Sequence, residues 1–146
     1  MSYSIYTDGG CSGNPGPGGW AYLILKDGKL ILEKSGGEAL TTNNKMELSA
    51  VISSLSFLYE NGIREASLYT DSQYVKNGIT NWIFSWKKNG WRTSQKGEVK
   101  NKEYWVKLDE LNSKLNIEWN WVKGHAGLKW NERVDELTQL EIAKFR

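Results

Sequence analysis

Only one cysteine and one histidine occur in this chain, and each scarcity closes off a class of site. A lone Cys11 cannot form an intramolecular disulfide, which suits a reducing compartment such as the cytosol. A lone His125 cannot complete a histidine-rich zinc centre. No apolar run is long enough to span a bilayer, and no basic segment followed by an apolar stretch opens the chain. A soluble, cytoplasmic protein without a membrane partner is therefore expected. Linkers, low-complexity tracts and internal domain repeats are missing too, so the 146 residues read most simply as one domain with a two-layer core.

Tryptophan, by contrast, is abundant. Eight in a chain of this size exceed what packing needs, so some of them are expected to touch a partner. Charge is unevenly spread. Between Lys76 and Lys107 eight basic residues face two acids, Glu98 and Glu103, giving +6; with the whole chain at +2, the remainder carries −4. A basic segment beside an acidic remainder suggests a polyanion held by one part and processed by the other.

The first third reads as antiparallel strands. Tyr3 to Thr7 is the first, and Trp20 to Leu25 the second, after a glycine- and proline-rich connection from Gly9 to Gly19. Asp27-Gly28 is a strong hairpin signal, returning Leu30 to Glu33 as a third strand. From Asn44 to Tyr59 the period turns helical, with Val51, Leu55 and Leu58 on one stripe. Ala66 to Thr70 follows as a strand reached by a helical crossover, and so plausibly parallel. Helical segments are expected at Ser72–Gly78 and Thr80–Lys88, then a loop around Gly90–Lys100 and a helix over Asn101–Ser113. Alternating Ile117, Trp119 and Trp121 make a fifth strand, and a helix over Asn131–Lys144 closes the chain. The sum is an α/β domain, one mixed sheet covered by helices.

Within that frame Tyr-Thr-Asp occurs twice, at Tyr6-Thr7-Asp8 and Tyr69-Thr70-Asp71, each time at the end of an apolar strand pattern. Strand ends are where ligands and chemistry gather in such sheets, and two carboxylates that share a site repel unless protonated or bridged by a cation. Glu47 lies one helical turn before Val51 on the core-facing stripe, and Asp135 stands near the start of the last helix. Singly each acid has an ordinary explanation: Asp8 a turn, Glu47 a dipole-favoured first-turn acid, Asp71 a helix cap, Asp135 a solvated helix acid.

Their neighbours are more specific. Thr7-Asp8-Gly9 with Gly13-Asn14-Pro15-Gly16-Pro17-Gly18-Gly19, then Thr41-Thr42-Asn43-Asn44-Lys45-Met46-Glu47-Leu48, then Thr70-Asp71-Ser72-Gln73-Tyr74-Val75 succeed one another along the chain. Val122-Lys123-Gly124-His125-Ala126-Gly127 and Asn131-Glu132-Arg133-Val134-Asp135-Glu136-Leu137 complete the series. Taken in order, these motifs resemble the bacterial type 1 ribonuclease H family over nearly the whole chain.

The resemblance implies a ribonuclease H-like fold, a five-stranded mixed sheet flanked by helices, forming a single catalytic domain over residues 1–146. It implies endonucleolytic hydrolysis of the RNA strand of an RNA–DNA hybrid, leaving 5′-phosphate and 3′-hydroxyl ends. Two Mg²⁺ ions, about 4 Å apart, would activate the water and stabilise the leaving oxygen, with Mn²⁺ as an alternative. By resemblance Asp8 bridges both ions, Asp135 helps hold the one on the nucleophile side, and Glu47 with Asp71 holds the other. His125, on a loop between Gly124 and Gly127, takes an accessory part in proton transfer or product release. The expected hybrid contacts are Asn14, Asn43, Asn44, Gln73 and Asn131, whose amides both donate and accept, with Thr42 on a DNA phosphate. A basic protrusion at approximately 80–100 would hold the DNA strand, Trp82 and Trp105 lining its channel while Lys87 and Lys88 attract phosphates. Trp86 and Trp91 are expected to pack helices together. A monomer is implied. Two departures from the family pattern stand out: Gly10 where many relatives have serine, and Leu128 in place of a common second histidine. The competing readings are a fold-sharing metal nuclease acting on DNA, such as a resolvase or integrase core, and a non-catalytic hybrid-binding module.

Overall fold

The computed structural model describes residues 2–93, 97–122 and 129–146. Its strands are β1 (Tyr3–Cys11), β2 (Gly16–Lys26), β3 (Lys29–Thr41), β4 (Glu65–Thr70) and β5 (Asn116–Trp121). The helices are α1 (Asn43–Glu60), α2 (Gln73–Asn77), α3 (Ile83–Lys88), α4 (Lys102–Lys114) and α5 (Lys129–Ala143). A π-helical turn, Gly78–Trp82, joins α2 to α3. The strands form one mixed sheet in the order β3-β2-β1-β4-β5, antiparallel between β1, β2 and β3 and parallel between β1, β4 and β5.

Why β2 is the most apolar strand follows from its place between two layers. Tyr22 and Ile24 point into a core shared with Leu48, Val51, Leu55 and Leu58 of α1 and with Trp105 and Leu108 of α4. Ala21, Leu23 and Leu25 point the other way, onto Val134 and Leu137 of α5. A strand buried on both faces loses the usual polar alternation. The hairpin behaves as its Asp-Gly predicts: Asp27 and Gly28 both take positive φ, 51° and 82°. α5 is further tied to β3 by Arg133, whose Nε and Nη2 donate to the Glu33 carboxylate at 2.6 and 3.0 Å.

Three strands run further than the sequence pattern suggests. β1 continues past Thr7 to Cys11, β2 begins at Gly16, and β3 continues past Glu33 to Thr41. The Gly36-Gly37 pair resembles a turn, yet both residues sit in the ladder opposite Trp20 and Gly19. A Cβ on Gly36 would come within 2.6 Å of the Trp20 ring, so bare backbone is what lets the indole lie across the strand. The two helices expected at Ser72–Gly78 and Thr80–Lys88 form one unbroken helical path through the π-turn, with Ser72 as its cap.

Burial separates residues that hold this fold from those that decorate it. Leu23→Ala, at a site with 0% exposure, should cost about 2–5 kcal/mol in a denaturant titration. Leu40→Ala, at 72% exposure, should stay within about 0.5 kcal/mol of wild type.

Candidate active site

The two Tyr-Thr-Asp copies lie side by side. In the parallel β1–β4 register Ser4 pairs with Ser67, Ile5 with Leu68 and Tyr6 with Tyr69, and the two tyrosine rings stack with centroids 4.8 Å apart. Past that point the strands part. β1 continues on β2, where Asp8 faces Ala21, whereas β4 ends at Thr70. Asp8 and Asp71 thus flank the crevice where one strand leaves the other, the usual place for a site in an open sheet.

Glu47 arrives from the other direction. Thr42 caps α1, its hydroxyl accepting the Lys45 N–H at 3.3 Å, and the helix's first turns then cross β1 at Gly9. A Cβ on Gly9 would meet the backbone of Met46 and Glu47 at 2.4–2.6 Å. Only glycine permits that approach, and it sets Glu47 beside Asp8. Asp71 could have been consumed as the cap of α2, but Ser72 takes that role: its hydroxyl accepts the Val75 N–H, and its own N–H donates to Thr70 Oγ1, both at 3.1 Å.

The result is a cluster in which ligand oxygens of Asp8, Glu47 and Asp71 all lie within 4.8 Å of one another. Asp8 and Glu47 are buried, at 6% and 8% exposure. Burial first, then the charges of Asp8 and Asp71, push the Glu47 carboxyl well above the usual carboxylate range, against interactions with the Ser72 hydroxyl and Gly9 amide. Glu47 Oε1 is buried with no hydrogen-bond partner among the described residues. An all-oxygen cluster with one unsatisfied buried acceptor and mutually repelling charges fits a hard divalent cation, whose preferred ligands are carboxylate oxygens and water.

Asp135 is not a member of that trio. It is partly exposed on α5, which packs on β1 and β2, and shares a helical stripe with buried Asn131, Thr138 and Ile142. His125 and Leu128 lie outside the described residues.

The expected substrate residues divide by exposure. Asn14, Asn43 and Gln73 are exposed and Thr42 and Asn44 partly so. Asn14 Oδ1 accepts the Asn43 N–H at 3.2 Å, which ties the β1–β2 loop to the start of α1. Trp82 is 38% exposed, its ring 5.6 Å from Tyr74 and 5.9 Å from Trp86. Lys88 is exposed, and Lys87 pairs with Asp109 at 3.3 Å in a contact open to solvent, worth about 0–1 kcal/mol.

Two other residues expected at the substrate are inside the protein. Trp105 has 0% exposure: its indole N–H donates to Tyr74 Oη at 3.0 Å, and its ring lies against Gly78. The resemblance set it at the DNA channel; here it lies on the apolar stripe that α4 presents to the core, with Leu108 and Leu111. Asn131 is 3% exposed because it opens the stripe by which α5 packs on the sheet; its Oδ1 has no partner among the described residues. Trp86 and Trp91 are half-buried and pack against the main core. Sequence reasoning passed over Gly9 as a mere turn; an Asp-Gly inside a strand pattern was the available signal of a close backbone approach.

The RNase H family matches the chain over residues 1–143. A ribonuclease H of Afipia carboxidovorans is 55% identical over 142 residues, covering 97% of this chain and 93% of that protein. One from Mesorhizobium japonicum is 56% identical over 142 residues, covering 97% of this chain and 78% of that one. Among solved structures, LC9-RNase H1, a type 1 RNase H with the type 2 active-site motif, is similar at a TM-score of 0.86 and 31% identity, with 99% of this chain and 73% of that one covered. LC11-RNase H1 in complex with an RNA/DNA hybrid is similar at 0.76 and 27% identity, covering 98% of each chain.

A carboxyl raised on folding stabilises the protein below the ordinary range, about pH 4.3 for glutamate, and that contribution is lost as pH climbs through the raised value. In chelator, the melting temperature should therefore fall as pH rises above that range, and Glu47→Gln, which stays neutral, should flatten the fall. Millimolar Mg²⁺ or Mn²⁺ should raise the wild-type melting temperature; no shift would count against a shared cation site.

Proposed function

The chain belongs to the RNase H family, and from that we propose that it hydrolyses the RNA strand of RNA–DNA hybrids internally, leaving 5′-phosphate and 3′-hydroxyl ends. The observation that carries this reading is the convergence of Asp8, Glu47 and Asp71 within 4.8 Å, at the crevice between β1 and β4. The hybrid bound by LC11-RNase H1 supports the choice of substrate.

We assign Asp8, Glu47, Asp71 and Asp135 to two divalent cations, Mg²⁺ in the cell, with Mn²⁺ able to replace it. Bound there, the ions would neutralise the acids, activate water and stabilise the leaving 3′-oxygen. The chain's own part is geometric and electrostatic. Asp8, on β1, would serve both ions, Glu47 with Asp71 would hold one, and Asp135 on α5 would help hold the other on the nucleophile side. His125 moves a proton or aids product release.

RNA is told from DNA by its 2′-hydroxyls, which both donate and accept. Asn14, Asn43, Asn44 and Gln73 can match that pattern from loops and helix starts around the acids, and Thr42 contacts a DNA phosphate. Residues of approximately 80–100 form a basic protrusion within a single catalytic domain spanning 1–146. There Trp82 stacks on the DNA strand and Lys87 and Lys88 attract its phosphates, while buried Trp105 supports Trp82 through Tyr74. Asn131 acts from within, one turn before Asp135. We place the protein in the cytoplasm as a monomer; among the described residues no helix is long and apolar enough to cross a membrane.

With Mg²⁺ and end-labelled duplexes, only the RNA strand of the hybrid should be cut, and chelator should stop it. Cutting of a DNA duplex would move the protein to a DNA nuclease sharing this fold. Hybrid binding without cleavage would make it a binding module. Asp8→Asn should lose turnover while still binding hybrid; retained turnover would sink its bridging role. Replacing Lys87 and Lys88 by alanine should weaken binding regardless of sequence and reduce the salt slope of log K by about 1 for each phosphate no longer neutralised.

A further inference from the structure

Asp71 stands just beyond Thr70, the last residue of β4. Thr70 is the final β4 residue paired with β5, opposite Trp121, and its carbonyl accepts the Val122 N–H at 2.8 Å. The next bond is made by a side chain: the Trp121 indole Nε1–H donates to the Asp71 carbonyl oxygen at 3.2 Å. The same indole is held from α2, where Lys76 Nζ lies 4.8 Å from the ring centroid. One ring therefore joins β5, the Asp71 turn and the helix that Ser72 caps.

Packing alone does not fix that ring. A cavity of about 80 Å³, lined by Thr70, Ile79, Thr80 and Trp119 among others, lies against it, and the hydrogen bond and the cation add to its hold. A lysine over the ring face also draws electron density from the indole, which makes its N–H a better donor. The peptide carbonyl of Asp71 is adjacent to the Cα that carries the carboxylate, so the indole bond anchors the backbone from which the side chain projects.

We propose that Trp121 is a positioning residue for Asp71: its indole N–H locks the Asp71 peptide so that the carboxylate faces Asp8 and Glu47. This rests on reading those carboxylates as the cation site, and it concerns how that site is held in shape. Groups that orient a metal ligand without touching the metal commonly affect affinity or activity about 10–100-fold.

The test is Trp121→Phe, which keeps an aromatic ring under Lys76 and removes the donor. Mg²⁺ alone is titrated against melting temperature, and steady-state kinetics on the hybrid follow. The expected result is a midpoint for the Mg²⁺-induced rise about tenfold higher than wild type, and kcat about tenfold lower with KM for hybrid unchanged. A variant whose melting temperature drops while midpoint and kcat match wild type would overturn the proposal, leaving Trp121 a structural anchor. Absence of any Mg²⁺ response in the wild-type protein would instead remove the cation-site reading, and this proposal with it. Should Trp121→Phe not fold, the unmutated protein answers by NMR: the Trp121 indole N–H resonance should shift with the midpoint of Mg²⁺ binding, and a resonance that stays still overturns the assignment.

Discussion

Repulsion among three carboxylates is the constraint around which this structure is arranged. At separations under 5 Å each ionised pair opposes folding by on the order of 3 kcal/mol, even with the generous screening of an effective dielectric of about 20. Such a cluster does not assemble by default; other forces must hold it. The parallel β1–β4 register carries Asp8 and Asp71 to neighbouring positions, with the Tyr6–Tyr69 stack just behind them. The crossing of α1 at Gly9 adds Glu47 from a third direction. Burial first, and then the neighbouring charges of Asp8 and Asp71, push the Glu47 carboxyl well above the usual range. Because a carboxylate fixed in this way offers a cation a preformed ligand set, binding need not first order the side chains.

The basic segment answers the acidic one at a distance. A nucleic acid approaching three clustered acids would be repelled were its phosphates not met elsewhere by positive charge. From Lys76 to Lys107 the chain carries +6, while the remainder, acids of the site included, carries −4. Exposed Lys88 and partly paired Lys87 lie on α3, beyond the π-turn from the Asp71 loop. The positive charge and the acidic cluster are thereby separated along one continuous helical path that begins at Ser72.

How much of this was legible beforehand depends on whether the signal was local. The Asp-Gly hairpin, the α1 stripe and the twin Tyr-Thr-Asp motifs are patterns of sequence spacing, and the structure follows them. Gly36-Gly37 was not legible, because the Trp20 ring that requires glycine there is brought in only by the β2–β3 pairing. The burial of Trp105 was not legible for a related reason: α4 turns it onto Gly78 and Tyr74, a contact between segments some 30 residues apart. Asp135 could be placed on a helix from its spacing. That it would share a stripe with buried Asn131, Thr138 and Ile142 needed the packing of α5 on the sheet.

That packing explains why the four acids are not held alike. Asp8 sits on a strand paired on both sides and Glu47 on a helix that crosses β1 at Gly9, while Asp71 follows directly on the last residue of β4. Asp135 depends on α5, which is tied to the sheet by Ala21, Leu23, Leu25 and Val134 and by the Arg133–Glu33 pair. The pair is open to solvent, and such contacts contribute about 0–1 kcal/mol, so the apolar seam does most of the holding. Side chains packed on a sheet face admit small shifts of a helix that a hydrogen-bonded ladder does not.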